Sequence, residues 1–562
     1  MEAITRLLAE IYPSSLTQAQ LDTIKSKISF AKSTQQQPRK LHWDEQDVVL
    51  ITYADQFMAA EQPTLATLTT FFEQWLQSTF NLVHLLPFYP YSSDDGFSVI
   101  DYHQVNPIVG SWQHISRLNQ STRLMFDFVC NHISAHSTWL AGYREQQTGF
   151  ENFFINVPPA TDLTSVTRPR TSPLLTPFTM KKEGETRYLW TTFSADQVDL
   201  NFADPNVLIS IIGVLLHYLT QGADYIRLDA VGYLWKEIGT RCIHLPKTHL
   251  LVKLMRAIVN EVAPGTVIIT ETNVPHKDNI SYFGNGQDEA QMVYQFPLPP
   301  LVLHAIHNGS SRALRQWAAT LDIRNHHITF FNFLASHDGV GMNPVRGILP
   351  EVEINSLVRD LESEGALVSY KQNTDGTTSP YEINVTFLDA LNRRQDTDDT
   401  RLARFLLAHA ILLAFPGVPA VYIQSILGSR NDYEGVKAAG YNRAVNREKY
   451  PLKAIEAALA DETSLRSRVF HHLSDLIQRR RGQPAFHPDA AMEVLEWDNA
   501  LFAFYRRAAR QAILCVFNLG GKSMACTLPP GRYRDVVNYR LLTGDTPLDL
   551  APYQFFWLET LA

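Results

Sequence analysis

Eight short apolar runs, each followed by a helical pattern, constrain this chain more than any other feature. They are DVVLITYA (47–54), LVHLLPF (82–88), RLMFDFV (123–129), ADYIRLDA (223–230), TVIITET (266–272), QMVYQF (291–296), ITFFNFLAS (328–336) and GVPAVYI (417–423). Strands buried on both faces read as near-continuous apolar text, and eight of them alternating with helices are what a (β/α)8 TIM barrel requires. The fold class is therefore α/β: a TIM barrel with two insertion domains and a C-terminal β-sandwich.

The barrel is assigned to residues 43–132, 205–338 and 401–484. Before it, residues 1–42 read as a helical extension. There Ile4, Leu7, Leu8 and Ile11 recur at helical spacing, and a second helix from Thr17 ends in the polar run at 32–40. Residues 133–204 lapse into Pro, Thr and aromatic text, and residues 339–400 into polar and charged text. Both segments follow a strand end, where insertions build active-site walls, and they are read as insertion domains B and B′. From 485 to 562 the pattern becomes short strands with turns, as in a β-sandwich.

The composition excludes several function classes. With 49 Lys and Arg against 57 Asp and Glu, the net charge of −8 gives no electrostatic footprint for nucleic acid or an anionic membrane. Apolar residues make up 45% and charged residues 19%, enough for a sizeable core, so a disordered chain is excluded. Cys130, Cys242, Cys515 and Cys526 lie far apart without a C-x-x-C, which suggests neither disulfides nor a thiolate zinc site. The N-terminus lacks the pattern of a signal peptide, and the apolar stretch at 408–423 is short and broken by Pro416, Gly417 and Pro419. A soluble, cytoplasmic protein is expected.

Charged residues gather at the ends of the predicted strands: Asp127, Asn131 and His132; Arg227 and Asp229; Glu271; His337 and Asp338. Barrel enzymes place their active sites at this C-terminal end. Residues two apart on a strand point to the same side, so Arg227 can hold Asp229 ionised. The same spacing also suits a buried ion pair that only closes the barrel. Glu271 follows Val267, Ile268 and Ile269, a background that raises a carboxyl pKa toward the range of a general acid, although a solvated strand end reads alike. Carboxylates at three strand ends of one barrel suit retaining glycoside chemistry, which needs a nucleophile and an acid/base about 5 to 5.5 Å apart.

The segments DFVCNH, RLDAVGY, TET and LASHDG resemble the four short regions of the α-amylase superfamily, glycoside hydrolase family thirteen. HLLPFYPYSSDDGFSVIDYHQVNP, IRLDAVGYLWKEIGT, FPLPPLVLHA and SHDGVGMNPVRG are similar to the sucrose phosphorylase branch. ETNVPHKDNISYFG, YIQSILGSRNDYEG and the long N-terminal extension most resemble the glucosylglycerate phosphorylases of that branch. The resemblance implies a hexosyltransferase that converts 2-O-α-D-glucosylglycerate and phosphate into α-D-glucose 1-phosphate and D-glycerate through a covalent β-glucosyl enzyme. Phosphorylases of sucrose, sucrose 6′-phosphate or glucosylglycerol remain alternatives, followed by an α-glucoside hydrolase and a non-catalytic sugar-binding barrel.

Matched by motif, the resemblance implies Asp229 as nucleophile, Glu271 as general acid/base and Asp338 as the carboxylate that stabilises the transition state. It implies Asp94, His132, Arg227, His337 and Arg443 at the donor subsite, and Arg170, Tyr233 and Tyr381 at the phosphate site. One departure is Asn273, where sucrose phosphorylases carry a His. Because glycerate is small and anionic, its subsite needs a cation, and Arg168 and Lys371 are the candidates. Asn131 matches a calcium-site position of many α-amylases, but relatives in this branch lack the ion. No metal and no cofactor is expected, only inorganic phosphate as co-substrate. The expected partners are a small sugar and phosphate, with a homodimer left open.

Overall fold

The computed structural model describes residues 1–35, 40, 42–182, 184–321, 325–373 and 375–561. All eight apolar runs become strands of one closed parallel barrel: β1 (Val49–Thr52), β2 (Leu82–Leu85), β3 (Arg123–Phe128), β4 (Tyr225–Leu228), β5 (Val267–Thr270), β6 (Met292–Tyr294), β7 (Thr329–Asn332) and β8 (Val418–Tyr422). Each pairs with its neighbours in chain order, and β8 closes on β1 through Val49 opposite Ala420. The strands are buried almost throughout because helices cover the outside and side chains fill the interior. No helix among the described residues is long and apolar enough to cross a membrane.

The N-terminal extension forms two helices, Glu2–Ile11 and Gln18–Thr34, packed on the barrel helices Pro246–Val262 and Pro205–Thr220. Ile4, Leu7, Leu8 and Ile11 are all buried, as their spacing predicts. Thr17 starts the second helix with a capping box: its side chain accepts the Gln20 N–H, and the Gln20 side chain accepts the Thr17 N–H at 3.0 Å. The polar run at 32–40 falls partly outside the described residues.

Between β3 and β4, the strand His132–Ser134 pairs with Gln197–Asp199, and Leu175–Thr179 pairs with Thr186–Trp190. His132 thus sits in the sheet of the first insertion rather than in the barrel. After β7, Thr378–Asn384 lies between Val340–Gly341 and Leu367–Gln372 in a three-stranded sheet. The boundary expected at 401 moves to 397. Thr397 caps a helix Asp398–Ala414, so the acidic residues Asp398 and Asp399 are that helix's first turn, where negative charge is favoured, and not the end of the insertion.

The C-terminal region is a six-stranded sheet faced by a two-stranded one, Met524–Thr527 with Pro547–Leu550. Alternation along Gln511–Asn518 explains the layering. Ile513, Cys515 and Phe517 join the core that continues into the barrel, while Leu514 and Val516 pack under the two-stranded layer with Leu548 and Leu550. The sandwich is therefore lopsided, and its larger sheet is anchored to the barrel helices. All four cysteines are free.

Candidate active site

Asp229 and Glu271 directly follow β4 and β5, and Asp338 lies just beyond β7. All three line one cavity at the C-terminal mouth of the barrel. Beneath it, Asp127 on β3 and Arg227 on β4 are register partners. Arg227 Nη1 donates to Asp127 Oδ1 at 2.5 Å and to Asp229 Oδ1 at 2.7 Å, while its Nε donates to Tyr294 Oη at 3.0 Å. The other face of Asp127 meets His84 Nε2 at 2.6 Å. Arg227, expected among the donor-site residues, does not line the cavity; it lies fully buried behind Asp229 and fixes that carboxylate from below.

The turn after β4 joins the next two groups. Ala230 adopts a left-handed conformation at φ 49°, which is strained for a residue with a Cβ, and its N–H donates to Glu271 Oε2 at 3.2 Å. Arg227 Nη2 is 3.8 Å from the same oxygen. Asp229 and Glu271 thus share one guanidinium and one turn.

Their electrostatics differ. Burial pushes the Glu271 carboxyl up to about 7; the negative charges of Asp229 and Asp338 add to this, and Arg227 only partly opposes it. Burial also raises Asp229, and the short bond to Arg227 only partly opposes this. For Asp338 burial is outweighed by Arg443, Arg227 and Arg447, which hold it below the usual carboxylate range. Of the three, Glu271 has the most distant cation, so a proton shared among them resides on Glu271. Burial, with Arg447 and Arg227, holds His337 well below the ordinary imidazole value and therefore neutral.

The remaining donor-side candidates meet at this mouth. Arg443 Nη1 pairs with Asp338 Oδ1 at 2.6 Å and approaches Asp94 Oδ1 at 3.9 Å. His132 Nε2 contacts the Phe97 carbonyl at 2.9 Å, and the Phe97 ring stacks on His337 at 4.6 Å. Asp94 and Asp95 are both left-handed, at φ 52° and 45°, and Gly96 continues the loop at φ 110°. A Cβ at Gly96 would lie 2.6 Å from the Pro87 carbonyl, so only glycine lets this loop press against the end of β2.

Arg170, Tyr233 and Tyr381 also line the cavity. The Arg170 guanidinium lies 5.0 Å from the Tyr381 ring and 5.7 Å from Phe193, and among the described residues it has no carboxylate partner. Arg168 and Lys371 do not reach this cavity. They line an adjoining one, and Arg168 Nη2 donates to the Ser172 carbonyl at 2.6 Å.

Several groups escaped the sequence reading. Glu382 holds Arg443 in a two-pronged ion pair, at 2.9 and 2.8 Å. Arg447 donates to the His337 carbonyl at 2.9 Å and to Asp95 Oδ2 at 2.7 Å. The signal for Glu382 was its place beside Tyr381 on an alternating strand; Arg447 carried none beyond following Arg443 by one helical turn. At the calcium-like position, Asn131 Oδ1 accepts from Lys236 Nζ at 2.8 Å, and the same ammonium is 2.6 Å from Asp199. No group of three or more metal-ligating side chains occurs among the described residues.

Fold and cavity together define an α-amylase-type catalytic barrel, and the family model for the alpha amylase catalytic domain matches residues 73–340. The chain is 56% identical over 559 residues to the glucosylglycerate phosphorylase of Escherichia coli (strain K12), covering 99% of this chain and 100% of the relative. It is 47% identical over 521 residues to the glucosylglycerate phosphorylase of Spirochaeta thermophila, covering 92% and 88%. Among solved structures, the sucrose 6F-phosphate phosphorylase from Thermoanaerobacter thermosaccharolyticum superposes with a TM-score of 0.74 at 25% identity, covering 87% of this chain and 95% of that one. The chain belongs to the glucosylglycerate phosphorylase family of the α-amylase superfamily.

Proposed function

We propose that this chain is a retaining hexosyltransferase that reversibly converts 2-O-α-D-glucosylglycerate and phosphate into α-D-glucose 1-phosphate and D-glycerate. Asp229 attacks the anomeric carbon as Glu271, protonated near neutral pH, gives its proton to the departing glycerate oxygen. Arg227 keeps Asp229 ionised and aimed. Asp338 stays anionic beside the positive charge that develops on the sugar, while neutral His337, with His132, Asp94 and Arg443, positions the glucosyl ring. Phosphate then attacks the β-glucosyl enzyme as Glu271 takes up a proton, and two inversions give net retention.

The observation that carries phosphorolysis over hydrolysis is Arg170. A guanidinium without a carboxylate partner, flanked by Tyr381 and facing the cavity of Asp229 and Glu271, suits a dianion that could not otherwise enter a dehydrated site. Tyr233 and Tyr381 stay protonated as hydroxyl donors, since burial raises both, Tyr381 to about 12. Every proton and covalent step falls to a side chain, so the reaction calls for no metal or cofactor. The tethered Lys236 ammonium already supplies positive charge between Asn131 and Asp199. Three buried free thiols suit a reducing, cytoplasmic setting.

The test is product analysis from glucose 1-phosphate with a panel of acceptors. D-Glycerate is expected to accept glucose far better than glycerol, fructose or fructose 6-phosphate. Equal rates, or a preference for either fructose, would overturn the acceptor and leave the broader phosphorylase reading.

A further inference from the structure

Next to the catalytic cavity lies a second one of about 420 Å³, and Tyr233, Asn273 and Tyr381 belong to the walls of both. Its walls carry four cations from separate parts of the chain: Arg168, Arg241, Arg346 and Lys371. Asp278 is the one carboxylate among its described lining residues, and Glu351 pairs with Arg346 from outside. Lys371 and Arg241 have no carboxylate partner among the described residues. Burial, then the like charge of Arg346 and more weakly that of Arg241, lower the Lys371 pKa against the opposing charge of Glu351, and a bound anion would relieve that strain. Two polar atoms in the same walls, Asn273 Oδ1 and Asn343 Oδ1, are buried without a donor, although each can accept a hydroxyl.

We infer that this chamber is the subsite for the acceptor's carboxylate, with Lys371, Arg241 and Arg346 selecting an anionic leaving group and Asn273 and Asn343 receiving its free hydroxyl. The inference rests on the phosphorolysis proposed above and goes beyond it by adding Arg241, Arg346 and the two amides to the acceptor side. The chemistry matches a small hydroxy acid glucosylated next to its carboxylate. Such a molecule leaves its glycosidic oxygen at Glu271 and turns its carboxylate toward the shared wall of Tyr233, Asn273 and Tyr381, where the field of these cations enters the catalytic cavity. Arg170 remains in the catalytic cavity for phosphate, so the two anions are read by different cations. A neutral acceptor of equal size would leave Lys371 and Arg241 unpaired, which is how the chamber discriminates.

Lys371→Met and Arg241→Met, singly and together, test this in the synthetic direction with glucose 1-phosphate and either D-glycerate or glycerol. The ratio of kcat/KM for D-glycerate to that for glycerol is expected to fall at least about tenfold in each variant and further in the double variant, with Lys371→Arg recovering most of it. The KM for phosphate should move by less than about twofold, since Arg170 is untouched. A ratio unchanged from wild type, or an equal loss for both acceptors, overturns the inference. So does an effect confined to the KM for phosphate, which would make the chamber a phosphate site. Wild-type enzyme that prefers glycerol would instead remove the glucosylglycerate reading itself, whatever the variants do. Because Arg241 is exposed, its replacement leaves the fold intact if Lys371→Met does not.

Discussion

Arg227 stands 2.7 Å from Asp229 but 3.8 Å from Glu271, an inequality that suits the nucleophile and acid/base roles proposed for the two carboxyls. Burial raises both; Arg227 opposes this most closely at Asp229, while Glu271 rises to about 7 and so keeps a proton near neutral pH.

The pH dependence follows from that proton. Glu271, raised from 4.5 to about 7, must be protonated to assist glycerate departure. At saturating phosphate, kcat/KM for glucosylglycerate is therefore expected to hold below about pH 7 and to fall roughly tenfold per unit above it. Glu271→Gln should remove this limb and nearly all activity on the natural substrate. It should spare a glucosyl donor with a good leaving group and let azide stand in for phosphate. A pH profile unchanged in the variant would assign the limb elsewhere.

Asp229→Asn should lower both phosphorolysis and hydrolysis by several orders of magnitude while the circular dichroism spectrum and Tm stay near wild type. The fold should tolerate it because Arg227 keeps its bond to Asp127. A folded variant with more than about a tenth of the activity would refute covalent catalysis at this residue.

Arg170→Ala should raise the KM for phosphate more than about tenfold and divert product from glucose 1-phosphate to glucose, since the glucosyl enzyme still forms and water is left to attack it. Chromatographic product ratios check this. An unaltered phosphate dependence would make Arg170 a structural residue only.

Glu382→Ala leaves the Arg443 guanidinium with Asp338 as its close partner. Breaking a buried pair from one side costs about 3–5 kcal/mol, and the low end applies because Asp338 remains. Calorimetry should show a lowered Tm, with a raised KM for the glucosyl donor as Arg443 loses its orientation. Glu382→Gln, which keeps a hydrogen bond, should recover part of both.

The barrel and its carboxylates were legible because the determining signals are local. DFVCNH and RLDAVGY combine an apolar strand with the charged residues that follow it, and the barrel's geometry brings such ends together. Glu382, Arg447 and the Phe97 stack on His337 were not legible, since each depends on where an insertion or loop folds back. Glu382 reaches Arg443 only because Thr378–Asn384 is the central strand of its sheet. Residues 397–400, counted with the second insertion, are instead the capped beginning of a barrel helix. Arg168 and Lys371 line the chamber beside the catalytic cavity rather than the cavity itself, and that partition is a property of side-chain packing that spacing does not encode.

Asp229, Glu271 and Asp338 stand at the ends of barrel strands, whereas Arg168, Arg170, Arg346, Lys371 and Tyr381 belong to the two insertions. The three carboxylates and most of the groups proposed for partner choice are thus written in different stretches of the gene, with Arg241 and Asn273, in the loops after β4 and β5, as exceptions. Duplication and drift can rewrite the insertions, trading one acceptor for another, while the glucosyl-transfer machinery is inherited unaltered. Directed evolution toward new glucosides would accordingly concentrate its mutations in residues 133–204 and 339–397, with Arg241 and Asn273, and leave the three carboxylates alone.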